Sequence, residues 1–182
     1  MKKRINVIDL DNTLIRKDSL KLFVMMFLKR KKTLIPLSLL SLLRLLGFID
    51  PAEFLKRLLI LVRKDREYDR LVKDFSDRLF TYIDPDLFNQ VLTKTDENTI
   101  NVLCTASPSD YVKFVAEKLN WHYIASTFAK GNSSFTRMYG SAKVDAILTI
   151  FPKEMFDYSF AISDNASDLA LLRLFDEFLI KK

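Results

Sequence analysis

Residues Ile5 to Leu14 (INVIDLDNTL) constrain the fold of this chain more than any other stretch. The apolar run Ile5-Asn6-Val7-Ile8 has the character of a strand buried on both faces, as in a parallel sheet. It runs directly into Asp9 and Asp11, then into Asn12-Thr13, a turn and cap pair. Ligands of open α/β sheets sit at the carboxyl ends of the strands. Two acids placed there repel unless a proton or cation lies between them. A hard cation held by oxygen ligands resolves this, and magnesium commonly arrives with a phosphate.

Downstream, strands and helices alternate. Thr99–Cys104, Trp121–Ser126, Tyr158–Ile162 and Glu177–Ile180 read as strands. Asp84-Pro85 onward, Pro108–Leu119, Ser141–Ile150 and Ala166–Leu174 read as helices, with Gly131-Asn132 turning a small hairpin within Phe128–Met138. The fold class is therefore α/β, a Rossmann-like three-layer core with a parallel sheet. Between the first strand and this array the period is helical. One helix covers Ser19–Lys29, with Leu20, Phe23, Val24 and Phe27 on one face. A second runs from the Asp50-Pro51 cap to about Val62, and a third spans Arg66 to about Phe80. The expected division is residues 1–15 with 84–182 as the core and 16–83 as an inserted helical cap.

With 182 residues the chain buries one core and a small appended unit. Three glycines leave no material for a Gly-rich nucleotide loop. A single cysteine and a single histidine argue against a disulfide and a Cys/His zinc cluster. The charged start Met1-Lys2-Lys3-Arg4 is followed by an apolar run that Asp9 and Asp11 cut short, so it is not a signal h-region. A cytoplasmic protein is expected, at most peripheral at the inner membrane face.

The net charge of +6 is localised. Residues 16–73 hold fifteen Lys and Arg against six acids, which leaves the rest of the chain at −3. Within that segment Lys29-Arg30-Lys31-Lys32 precedes Thr33–Leu43, a run without charge. It is too short to span a bilayer, which needs about 20 apolar residues. Two readings stay open: a core helix of the cap, or an interfacial element whose basic flank meets anionic headgroups. Nucleic acid is not expected, since no module signature or exposed aromatic interleaving accompanies the basic residues.

Three further positions carry chemistry. Thr105 ends a strand before Ala106-Ser107-Pro108 and a helix N-terminus, a setting for a phosphate oxygen or an ordinary cap. Lys143 follows Gly140 at a helix start, where a cation opposes the dipole unless an anion faces it. In Phe160–Asp168 a strand ends at Asp164, and Asp168 lies one helical turn on.

The order strand-Asp9-Leu10-Asp11-Asn12-Thr13, strand-Thr105, Lys143, strand-Asp164-xxx-Asp168 resembles the haloacid dehalogenase-like hydrolases, most of which are magnesium-dependent phosphatases. Ser163 stands where their GDSxxD pattern has glycine. The resemblance implies Asp9 as nucleophile forming an aspartyl-phosphate, and Asp11 as acid and then base. It implies Mg2+ on Asp9, the Asp11 carbonyl and Asp164, with Asp168 behind, and Thr105 and Lys143 on the phosphoryl group. Asn12, Thr13, Arg16 and Ser107 are candidates for substrate contact. A helical insertion between the first two motifs is the C1 arrangement, and Thr105-Ala106-Ser107-Pro108 is similar to subfamily IB. Phosphoserine phosphatases carry Ser-Gly-Gly at that place, which argues against free phosphoserine. The cap, with Asp18 before an aromatic helix and a basic, Leu-rich continuation, resembles that of C-type phosphatidylglycerophosphatases. The expected activity is hydrolysis of a phosphomonoester on a lipid or amphiphile. The alternatives are a soluble sugar or amino-acid phosphate as substrate, a phosphotransferase, or a non-catalytic membrane-associated protein of this fold. Cys104, Trp121, His122 and Tyr123 are expected to be packing residues.

Overall fold

The computed structural model describes residues 2–129 and 134–181. The first strand, β1 (Lys3–Ile8), is followed by four helices: α1 (Ser19–Leu28), α2 (Lys31–Leu45), α3 (Pro51–Val62) and α4 (Tyr68–Leu79). Then come α5 (Pro85–Thr93), β2 (Thr99–Pro108), α6 (Ser109–Leu119), β3 (His122–Phe128) and β4 (Phe135–Thr136). The chain closes with α7 (Ser141–Ile150), β5 (Phe156–Ser163), α8 (Leu169–Leu172) and β6 (Glu177–Ile180). The sheet order is β4-β3-β2-β1-β5-β6, parallel throughout except for β4. The β3–β4 pair is the expected hairpin, Phe128 opposite Phe135; its Gly131-Asn132 turn lies outside the described residues.

Alternation along the strands sorts side chains into two layers. Ile5, Val7, Val102, Cys104 and Ala161 meet Ile147, Phe151 and Leu171 on one face. Ile8, Leu103, Phe160 and Ile162 belong to the other, which continues through Tyr111 and Val112 of α6 into Phe23, Leu55 and Phe75 of the inserted helices. The insertion thus shares a core with the sheet domain. Phe23 is fully buried, with ring centroids 5.1 Å from Phe27, 5.3 Å from Phe75 and 5.1 Å from Tyr111. The buried Ser76 hydroxyl donates to Val72 O and Tyr111 O, and Arg63 forms a two-point ion pair with Asp110 at 2.9 and 3.0 Å.

Local chemistry explains the helix ends. Asp18, Asp50 and Asp84 each accept backbone N–H bonds as N-caps, with Pro51 and Pro85 in the first turn. The last helix is shorter than Ala166–Leu174: residues Ala166–Asp168 form a 3-10 turn before α8. The helix expected from Arg66 starts at Tyr68, and its inner face is Tyr68, Val72, Phe75 and Leu79, with Leu71 half-buried. For the uncharged run, α2 buries Thr33, Leu37 and Leu40 alone, while Ile35, Leu39, Leu42 and Leu45 are exposed. It is a helix with one face on the core and one apolar face outward.

Asp84 locks the return of the chain from the insertion. Its N–H donates to Leu14 O, and its carboxylate takes Arg16 at 3.1 Å and Lys181 at 2.9 Å. Arg16, then Lys181, hold this carboxyl far below the usual carboxylate range despite partial burial.

Two outcomes are expected. Phe23→Ala removes a ring from the shared core and lowers unfolding free energy by about 3–5 kcal/mol in urea titrations. The stabilisation from a depressed Asp84 pKa is present above the unfolded carboxylate value and lost as pH falls below it. Asp84→Asn therefore destabilises at pH 7, and its difference from the parent shrinks between about pH 4 and pH 2 in urea titrations.

Candidate active site

β1 is the hinge of the topology, with β2 on one side and β5 on the other, and side chains just past these strand ends converge. Asp9 follows β1, its N–H donating to Ile162 O at 2.9 Å. Asp164 follows β5. The end of β2 brings Ala106 and Ser107. Together with Asp11, Asn12, Asp18, Lys143, Asn165 and Asp168 they line a cavity of about 360 Å³, roofed by Leu20, Arg44, Pro51, Phe54 and Leu55 of the insertion.

Lys143 is buried, and its Nζ donates to Asp9 Oδ1 at 2.8 Å and Asp168 Oδ2 at 2.6 Å. This explains a cation in the first turn of α7: anions face it. Gly140 caps that helix at φ +57°, ψ −123°, a conformation that L side chains rarely adopt. Burial works against the Lys143 charge, but Asp9 and Asp168 outweigh it and hold the pKa above its ordinary value. Burial pushes the Asp9 carboxyl up to about 7, against the lowering by Lys143. Beneath them the Cys104 thiol, pushed up to about 12 by burial, is inert.

Asp11 is held by donors on both oxygens. Ser19 N–H reaches Oδ1 and Ser107 Oγ reaches Oδ2, each at 2.6 Å. Ser19 Oγ in turn lies 2.9 Å from both Ser107 Oγ and Tyr111 Oη. Burial raises the Asp11 pKa, opposed by the Ser107 and Ser19 bonds. Tyr111 is fully buried, its hydroxyl held well above the ordinary tyrosine range.

The candidates do not all line the cavity. Thr13 is buried; its Oγ1 accepts from Asp164 N–H at 2.9 Å and lies 3.4 Å from Asp9 Oδ2, so it joins the ends of β1 and β5. Thr105 is buried and receives Ser107 N–H at 3.1 Å, leaving Ala106 and Ser107 at the cavity wall. Arg16 turns away to Asp84, because the ion pair and the short loop to α1 fix it there. Asn12 lies on the wall with φ +52°, which asparagine tolerates. Trp121 stacks on Phe88 as a packing residue, whereas His122 is exposed with one ring edge on Phe151 and Tyr123 is exposed, so the expected packing role does not extend to Tyr123.

Ser163, Ser19, Arg44, Arg137 and Tyr139 join the site without being expected there. Ser163 Oγ donates to Asp168 Oδ2 at 2.7 Å and accepts from Asn165 N–H. Its place before Asp164 was a usable signal; Arg137 and Arg44 had none, because only the fold brings them to the cavity.

For a metal, the donor set is oxygen alone, which suits magnesium. Among the described residues no group of three or more His, Cys, Asp or Glu side chains is arranged to hold an ion by itself. Both Asp11 carboxylate oxygens already accept from Ser19 and Ser107, so the carboxylates that could hold a cation there are those of Asp9 and Asp164. Among the described residues the buried Asp168 Oδ1 has no hydrogen-bond partner, which fits a nearby cation or its water.

A family model described as haloacid dehalogenase-like hydrolase matches residues 7–173. No curated protein matches the chain. Among solved structures, a protein of unknown function from Bordetella pertussis superposes with TM-score 0.81 at 17% identity, covering 99% of this chain and 90% of that one. A phosphoserine phosphohydrolase-like protein from Francisella tularensis gives 0.61 at 21% identity, covering 98% and 86%. A phosphoserine phosphatase in a phospho-aspartyl intermediate analogue state gives 0.55 at 15%, covering 100% and 95%. At these identities the structures speak to the fold. The family match spans nearly the whole chain and contains each of the converging carboxylates, and on that ground the chain belongs to the haloacid dehalogenase-like hydrolases.

Proposed function

We propose that this protein is a magnesium-dependent phosphomonoesterase working through an aspartyl-phosphate on Asp9. The observation that carries the reading is the pairing of two unlike carboxyls at one cavity. Asp9 has Oδ1 on Lys143 and only a long 3.4 Å contact on Oδ2, which leaves that oxygen free to attack. Asp11 has a raised pKa and a fixed orientation, as a proton donor requires.

In the first step an Asp9 oxygen bonds to phosphorus, the ester P–O bond breaks, and Asp11 protonates the departing alkoxide. In the second, Asp11 takes a proton from water, whose oxygen attacks phosphorus and frees inorganic phosphate and Asp9. Lys143 balances charge behind Asp9 throughout, and Ser107 keeps Asp11 aimed. Asp9, the Asp11 carbonyl and Asp164 would hold Mg2+, with Asp168 behind them; when bound it supplies positive charge to the phosphoryl oxygens. The family resemblance also assigns Thr105 to the phosphoryl group; because Ala106 and Ser107 line the cavity and Thr105 does not, we assign that contact to Ala106 and Ser107.

Asp9→Asn is expected to lower Mg2+-dependent phosphate release from para-nitrophenyl phosphate by at least about 10³-fold while leaving the thermal transition in place. Comparable turnover by this variant in a phosphate-release assay excludes the covalent route.

The substrate we infer is amphiphilic, presented at an anionic membrane surface. Supporting this, Ile35 (77% exposed), Leu39, Leu42, Leu45 (83%), Leu46 and Phe48 form an apolar strip along and just beyond α2. Exposed Lys29, Lys31 and Lys32 flank its start, whereas Arg30 is paired with Asp65 and Glu67. No helix among the described residues is long and apolar enough to cross a membrane, so contact through this strip would be interfacial. The protein is expected to sediment with phosphatidylglycerol vesicles and far less with phosphatidylcholine vesicles, and Ile35→Glu with Leu39→Glu abolishes the difference. Failure of the parent protein to sediment assigns the substrate to the soluble sugar or amino-acid phosphates.

A further inference from the structure

Lys143 is not the sole cationic side chain at the cavity. Arg44, in the last turn of α2, and Arg137, between β4 and α7, both line it, one from the insertion and one from the sheet domain. Both are half-buried, and among the described residues neither guanidinium forms an ion pair. Arg137 is preorganised, its Cζ 4.4 Å from the centroid of the Tyr139 ring. Burial and the charge of Arg44 both lower its pKa, so its positive charge is incompletely compensated; Tyr139 and Asp50 act the other way. Asp50 has its Oδ1 on the N–H groups of Ala52 and Glu53, and Asp18, on the same wall, accepts from Lys21 N–H.

Two like charges held at one small cavity repel, and a guanidinium fork matches the oxygens of a phosphate or carboxylate. We propose that Arg44 and Arg137 form a second anion site, and that the substrate is a phosphomonoester carrying a second oxyanion. The proposal rests on the phosphatase reading for the identity of the first group but not for the existence of the site. The transferring phosphate occupies the Asp9 end, beside Lys143. The second oxyanion lies between the two arginines, and the apolar wall of Leu20, Phe54 and Leu55 faces the connecting carbons. An oxyanion there ties the insertion to the sheet domain and removes the repulsion between the arginines. Neutral-tailed esters lack that contact and are discriminated against.

Non-hydrolysable ligands separate this from catalysis. Calorimetry with magnesium present would compare n-alkylphosphonates, α,ω-alkane bisphosphonates and ω-carboxyalkylphosphonates of three to six carbons. The expected result is binding roughly 10- to 100-fold tighter for one of the doubly anionic series than for the alkylphosphonate of equal length, the range for hydrogen bonds to charged groups. The carbon number at the optimum reports the spacing of the two sites, and the favoured series reports which oxyanion is read. In Arg44→Gln/Arg137→Gln the ratio falls to near one, and Arg137→Lys keeps part of it. Equal binding of both kinds of ligand by the parent protein, or an undiminished ratio in the double variant, overturns the proposal. If the ratio behaves as expected but no phosphate ester is turned over, the anion site stands and the phosphatase reading fails.

Discussion

The buried ammonium of Lys143 is the interaction on which the site depends. Asp9 and Asp168 are almost wholly shielded from water, and two such carboxylates cannot stay ionised side by side without a cation. Lys143 supplies it from a different element, reaching both at hydrogen-bond distance. The strands bring the acids together; the lysine places a positive charge between them. Its position follows from Gly140, whose positive φ starts α7 in the direction that aims the third residue of the helix at the end of β1.

A second network, electrically milder, does the same for Asp11. Ser19, Ser107 and Tyr111 come from α1, β2 and α6, and their hydroxyls and one N–H surround a single carboxyl. Donors to the ionised form and burial against it pull in opposite directions, with burial prevailing. Asp9 and Asp11 are thus tuned separately, although they are two residues apart in the chain.

Much of this was legible in the sequence. The parallel strands announce themselves as short apolar runs, and the acids that follow Ile8 and Ser163 mark where the runs end at the sheet edge. Asp50-Pro51 and Asp84-Pro85 state helix starts in local chemistry that tertiary structure has no reason to override. Less could be read wherever the meaning of a residue depends on a distant partner. Arg16 looked available to substrate because nothing nearby in sequence claims it; its partner, Asp84, is 68 residues away. Thr105 was open to a phosphate oxygen or a helix cap because a strand end was expected there, whereas β2 continues to Pro108 and keeps its side chain inside. The uncharged stretch of α2 could not be assigned to core or surface because both of its faces are apolar, so periodicity carries no information there.

Ser19 is the first residue of the inserted helices, yet its N–H and hydroxyl complete the surroundings of Asp11. The insertion is therefore not a module laid over a finished reaction centre. A chimera that grafted a foreign helical unit after Thr13 would inherit the strand-end acids and the lysine but not the orientation of Asp11. Divergence of substrate choice in such a chain is constrained accordingly: roof residues such as Phe54 are free to drift, while the first turn of α1 is bound to the chemistry below it.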